Sequence, residues 1–99
     1  MELFKAAKEA MAMRSKVNDM DKKLKAQVID VEYDGIKIKI NAKSEFLSMD
    51  IPEALLKEKK EKVEKVILKA VQNASDKAQD VMAEEAKKLT AGMKIPGLS

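Results

Sequence analysis

Apolar positions recur along this chain with two different periods, and the switch between them divides it into three parts. From the start, Leu3, Ala6, Ala10, Met13, Val17, Met20 and Leu24 fall at alternating spacings of three and four. That is the a/d repeat of a coiled-coil seam, and it predicts a helix over residues 1–27. Lys8 and Lys22 stand opposite the seam, with Lys5 and Lys25 further round the same side. Phe4, Ala7 and Met11 widen the apolar surface near the start, which implies a second contact such as a partner chain. The seam itself is expected to pack on the other long helix of the same chain.

Over residues 28–51 the period becomes two. Asp34-Gly35 is a two-residue hairpin signal, because Gly accepts the positive φ that such a turn needs. Closing the hairpin there pairs Tyr33 with Ile36, Val31 with Ile38 and Ile29 with Ile40 on one face. The other face pairs Glu32 with Lys37 and Asp30 with Lys39. A slip of one residue would destroy every one of these pairs. A second turn around Lys43-Ser44 sets Ile40 against Leu47, Ile38 against Met49 and Ile36 against Ile51, with Lys37 between Glu32 and Asp50. The result is a three-stranded antiparallel meander whose oily face must be covered by helix.

Helical spacing returns over residues 52–91. Pro52 is a favoured first helical residue, and Glu53 complements the helix dipole of a short turn before the charged run Lys57–Lys62. Val63, Val66, Ile67, Ala70, Val71, Ala74, Ala78, Val81, Met82, Ala86 and Leu89 then continue one face. Its first half is broad enough to cover a sheet, and its Ala-rich second half suits close approach by another helix. Gly92 is placed to end this helix, and residues 92–99 read as a flexible tail. A helix from about Lys59 to Thr90 is roughly 48 Å long, more than a three-stranded sheet can cover. Its end must project, antiparallel to the first helix. The fold class is therefore α+β, in the order α-β-β-β-α, as a single domain over residues 1–99 with two long antiparallel helices forming an arm.

Composition narrows what this fold can do. The 99 residues contain no Cys and no His, only three Gly, and three aromatic residues (Phe4, Phe46 and Tyr33). Zinc sites, disulfides and Cys/His nucleophiles are excluded, and a core of Ile, Val, Leu, Met and Ala favours long helices and a dimer. The start lacks a secretory or transit signature and no apolar run has the length of a membrane span, so an intracellular, soluble protein is expected. Charge is sorted by segment. Residues 1–27 carry seven basic and four acidic groups, residues 28–56 three and six, and residues 57–99 ten and seven. A net charge of +3 thus conceals two helical segments of +3 each around an acidic sheet. Basic helices of this kind point to a polyanion partner.

The element order and several stretches resemble the YbaB/EbfC family of bacterial nucleoid-associated proteins. The matching stretches are Ile36-Lys37-Ile38-Lys39-Ile40-Asn41, Glu45–Ile51 leading into Pro52-Glu53-Ala54-Leu55-Leu56, Ala70-Val71-Gln72-Asn73-Ala74, and the ending Gly92-Met93-Lys94-Ile95-Pro96-Gly97. The resemblance implies a homodimer whose helices project as arms and bind DNA with little or variable sequence preference, organising the nucleoid or modulating transcription. Two departures stand out. Asp34-Gly35 replaces the family's Gly-rich first loop, and Ile51-Pro52 stands where the family often has Asp-Pro.

No P-loop, Rossmann or nucleophile-elbow pattern is present, and the carboxylates Glu84-Glu85 and Asp76/Asp80 read as solvent positions of the last helix, so no enzymatic activity, cofactor or metal is expected. Binding would fall to lysine, since Arg14 is the only arginine. Lysine acts as a mobile charge on phosphates, whereas arginine is the usual bidentate reader of guanine. Few aromatics also argue against single-strand stacking. The candidate DNA-binding residues are those of the projecting half of the helix pair: Lys5, Lys8, Arg14 and Lys16, then Lys77, Lys87, Lys88 and Lys94. The expected partner is double-stranded DNA in a cytoplasmic nucleoid. Two alternatives stay open: a prefoldin-like chaperone gripping clients with Phe4 and Met11, and an adaptor for a protein partner.

Overall fold

The computed structural model describes residues 2–91. Lys94 and the rest of the expected tail lie outside the described residues. The order is α1 (Glu2–Ala26), β1 (Val28–Tyr33), β2 (Ile36–Asn41), β3 (Phe46–Asp50), α2 (Glu53–Leu56) and α3 (Lys60–Ala91). The strands form one antiparallel sheet in the order β1-β2-β3. The radius of gyration is 19.6 Å and the longest extent 69 Å. A compact chain of this length would have a radius near 13 Å. The long helices therefore project well beyond the sheet.

The first hairpin has the register set by its turn. Asp34 and Gly35 sit at φ 48° and 85°, and Tyr33 pairs with Ile36, Val31 with Ile38 and Ile29 with Ile40. Two positive φ values are what a type I′ turn requires. At Gly35 an added Cβ would also stand 3.1 Å from Cγ of Pro52, so this turn rests directly on the start of α2. Pro52 itself precedes α2 as its N-cap in extended conformation, one position earlier than the first helical residue expected for it.

The second connection departs from expectation at one point. Lys37 opposes Asp50 and Ile38 opposes Met49 as expected, but Ile40 opposes Phe46 and not Leu47. Asn41 is the cause. Its Oδ1 accepts hydrogen bonds from the amides of Lys43 and Glu45, both 3.0 Å, and its Nδ2 donates to Oε1 of Glu45 at 2.8 Å. The Asn41 amide also donates to the Glu45 carbonyl. This closes residues 41–45 into a tight loop, draws Phe46 opposite Ile40 and leaves Leu47 as the extra residue of a β-bulge. The strand then ends at Asp50, short of the expected Ile36–Ile51 pair, with Ile51 half-buried against the core.

The core lies between the central strand and α3. Ile36, Ile38 and Ile40 are fully buried, and they cluster with Val66, Ala70, Ala74 and Ala78. Recurring every fourth residue, these small side chains form a stripe that lets α3 approach the sheet closely. The Ala-rich face thus packs into a core shared with the sheet and with Leu24 of α1. Covering is incomplete: α3 lies over β1 and β2, whereas all five residues of β3 are exposed. The oily face of the meander is therefore bare along Phe46, Leu47 and Met49.

The seam of α1 shows the largest departure. Every residue from Leu3 to Asp19 is exposed; only Leu24 is buried and Met20 half-buried. The two long helices run antiparallel where they meet, and among the described residues they meet at the last turns of α1, where Lys23 pairs with Glu85 of α3. The physical reason is one of length. Much of α3 is used on the sheet, so too little remains to follow α1 back to its start, and the N-terminal half of α1 projects alone.

Candidate nucleic-acid interface

The direction of the α1 arm is fixed by the loop after β2. The amide of Ala42 donates to the carbonyls of Leu24 and Gln27, both 3.1 Å, and so satisfies acceptors at the end of α1 that a helix leaves open. Lys43, on the same loop, forms an ion pair with Asp21. That partner holds the Asp21 carboxyl below its ordinary range and raises the Lys43 ammonium above its own. The arm thus departs from a loop that Asn41 organises.

Along the arm, Lys5, Lys8, Arg14 and Lys16 are all exposed. With about 100° of turn per residue, Lys5, Lys8 and Lys16 share a sector of about 80°, and Arg14 lies on the opposite flank of the helix. The structure thus groups three of the four α1 candidates. Lys77, Lys87 and Lys88 are exposed on α3. Lys77 sits some ten residues before the other two, about 15 Å back along the helix toward the sheet. The candidates therefore form a tip group and a shaft group, not one patch.

The shaft contains a group that the sequence reading misplaced. Glu85, expected on a solvent face, is 8% exposed. Its carboxylate takes Nζ of Lys23 at 3.0 Å and Nζ of Lys88 at 3.5 Å. The hydrogen bond from Lys23 holds the Glu85 carboxyl below its ordinary range, against the opposing effect of burial. One carboxylate thus buckles α3 to α1 and partly neutralises Lys88. A signal was present: Glu85 follows Ala78, Val81 and Met82 at seven, four and three residues, so it continues their apolar face.

Exposed lysines spread along a projecting helix suit a long, uniformly charged ligand, and comparison with known proteins bears on which. The model of the YbaB/EbfC DNA-binding family matches residues 1–93. The chain belongs to that family. Among its relatives, a nucleoid-associated protein of Beijerinckia indica is 36% identical over 92 residues, covering 90% of this chain and 91% of that protein. One from Pelotomaculum thermopropionicum is 34% identical over 99 residues, covering 97% and 94%. A crystal structure of an uncharacterised protein from Helicobacter pylori has the same fold, with a TM-score of 0.67 at 16% identity over 81% of this chain and 96% of that one. Among the described residues no helix is long and apolar enough to cross a membrane.

Proposed function

We propose that this YbaB/EbfC family member is a non-enzymatic, cytoplasmic nucleoid protein that binds duplex DNA as a homodimer. Binding runs mainly through lysine contacts to phosphates, with little sequence preference, and serves to organise the nucleoid or modulate transcription. The observation that carries this reading is the lone α1 arm, with Lys5, Lys8 and Lys16 exposed in one sector, in a chain of a DNA-binding family. The contributing residues are Lys5, Lys8, Arg14 and Lys16 on α1, Lys77, Lys87 and Lys88 on α3, and Lys94 beyond it. Lys88 contributes less than the tip lysines, because Glu85 already answers its charge. Self-association is supported by apolar surface left bare at the β3 groove, where Phe46, Leu47 and Met49 face Val71, and along the α1 seam.

The test is DNA retardation measured across salt concentration. Each phosphate contact adds about 0.9 to the slope of log affinity against log salt. Removing Lys5 and Lys8 together should flatten the slope by about 1.8 per protomer, so that the affinity lost between 50 mM and 200 mM salt becomes about twelvefold smaller than for the unaltered protein. Unrelated duplexes should bind within about tenfold of one another. Failure to retard duplex DNA at low salt, with suppression of client aggregation instead, would favour a chaperone that uses the exposed Phe4 and Met11.

A further inference from the structure

The first half of α3 carries a row of lysines that lies outside the arm. Between Glu64 and Asp76 the only charged residues are Lys65 and Lys69. With Lys62 they share a sector of about 60° over roughly 10 Å of helix, and all three are exposed. Gln72 and Asn73, exposed about one turn beyond Lys69, border the row and carry amide donors. Among the described residues, Lys60 and Lys62 have acidic partners, Glu64 at 3.8 Å and Glu58 at 3.5 Å, whereas Lys65 and Lys69 have none. Both ion pairs are exposed, and pairs of that kind are weak enough for a phosphate to replace the acid. Lys65 and Lys69 stand four residues apart, where like charges destabilise a helix. Their placement suits a polyanion better than it suits the fold.

This row stands apart from the arm. Lys8 lies about 22 Å of helix before Lys23, and Lys69 about 24 Å of helix before Glu85, with which Lys23 pairs. Because the helices are antiparallel there, the two groups fall on opposite sides of that junction. The arm lies beyond the sheet, and the row runs along the part of α3 that packs on it. Within the row's own sector, exposed Asp76 and Asp80 follow about 10 Å and 16 Å past Lys69. A DNA backbone lying on the row and continuing toward the arm would meet these carboxylates and be repelled. We propose that Lys62, Lys65 and Lys69, bordered by Gln72 and Asn73, form a second phosphate-binding surface, which takes a different duplex from the one held by the α1 arm. The three lysines span about three phosphates of one strand, at about 3.4 Å of rise each. Phosphate contacts position a duplex without reading its sequence, so the second duplex can be of any sequence.

The proposal rests on the DNA reading of the preceding section and adds a second duplex to it, so each is given its own readout. Retardation of a single duplex reports that reading. Capture of a second, labelled duplex by beads carrying the first reports the added surface. Lys65→Gln combined with Lys69→Gln should lower capture by about tenfold or more in 0.1 M salt, and by more than it lowers retardation. The salt slope of capture should flatten by about 1.8, two contacts at about 0.9 each. Lys65→Arg combined with Lys69→Arg keeps the charge and should keep capture. Circular dichroism should show equal helix content in both variants, since both side chains are exposed. Capture unaffected by the glutamine pair would overturn the proposal, because the arms of a dimer would then suffice to join two duplexes. Capture and retardation lowered by one common factor would overturn it too, as the mark of a single shared track. An unaltered protein that retards DNA without capturing a second duplex sinks this proposal alone, and one that retards none sinks the DNA reading and this proposal with it.

Discussion

Replacing Asn41 should loosen the junction on which the arm depends. Asn41 is 3% exposed and uses both ends of its amide within the 41–45 loop. Asn41→Ala leaves the partly buried amides of Lys43 and Glu45 without their acceptor. An unsatisfied buried donor costs about 1–3 kcal/mol, and two partly buried ones at the lower end give about 2–3 kcal/mol. The Glu45 carboxylate, which is exposed, returns to water at little cost. For a domain of this size that loss should lower the melting temperature by roughly 10–20 °C. Because the Ala42 amide is clamped to Leu24 and Gln27 by the same loop, its hydrogen exchange should accelerate together with the last turn of α1.

Asn41→Asp sharpens the test, because it keeps an acceptor for both amides and loses only the donor. The introduced carboxylate would face Oε1 of Glu45 across the distance now spanned by a 2.8 Å hydrogen bond. Two carboxylates that close cannot both ionise freely, so the folded pair holds a proton more tightly than the unfolded chain does. The sign follows: the folded state binds more protons, and stability should recover as pH falls through the pair's apparent pKa. Urea denaturation of the three proteins between pH 4 and pH 8 is the measurement, the range spanning about the carboxylate region and neutrality. An Asn41→Ala cost under about 0.5 kcal/mol, the ordinary scatter of surface changes, would refute the reasoning. So would an Asn41→Asp variant whose stability does not rise on acidification.

The remaining predictions concern charge and turn geometry. The folded Glu85 carboxyl lies below its ordinary 4.5, so its contribution to stability is present above that value and lost as pH falls through the folded one. Glu85→Gln should therefore flatten the acid limb of a stability–pH curve and raise the exchange rate where α1 meets α3. Asp21 behaves alike from an ordinary 3.8, whereas the raised Lys43 ammonium contributes below 10.5 and is lost as pH rises through its folded value. Asp21→Asn should accordingly flatten both limbs. Gly35→Ala must hold φ 85° and place a Cβ 3.1 Å from Pro52, which should lower urea stability by about 1–2 kcal/mol.

The parts of the fold legible in the sequence are those decided by local rules. Asp34-Gly35 permits one tight turn, and alternation then leaves a single register in which the facing pairs of β1 and β2 agree from Tyr33–Ile36 out to Ile29–Ile40. The bulge was hidden because it depends on what the Asn41 side chain bonds, although an asparagine at a loop entrance is a known organiser of turns. The heptad of α1 was equally plain, but a heptad specifies a helical partner without saying which chain supplies it. The choice of α3 failed because α3 is taken up by the sheet. Glu85 was missed for a similar reason: its charge was weighed and its place on an apolar face was not. Of the candidate site, exposure of the lysines was legible, while their division into tip and shaft groups needed the length over which α1 and α3 meet.

That division also bears on how the arm can hold DNA while its seam is covered. Around the α1 axis, the seam is centred roughly 110° from Lys5 and roughly 170° from Lys8, so these lysines face away from the apolar stripe, whereas Lys16 and Arg14 stand nearer its two edges, at roughly 90° and 70°. A partner laid on the seam would therefore leave Lys5 and Lys8 open to phosphate. The two surfaces then predict different salt responses. Phosphate contacts weaken steeply as salt rises, whereas burial of apolar surface weakens little. Raising salt should therefore release DNA well before it separates two copies of the chain, which sedimentation and retardation across one salt series would compare directly.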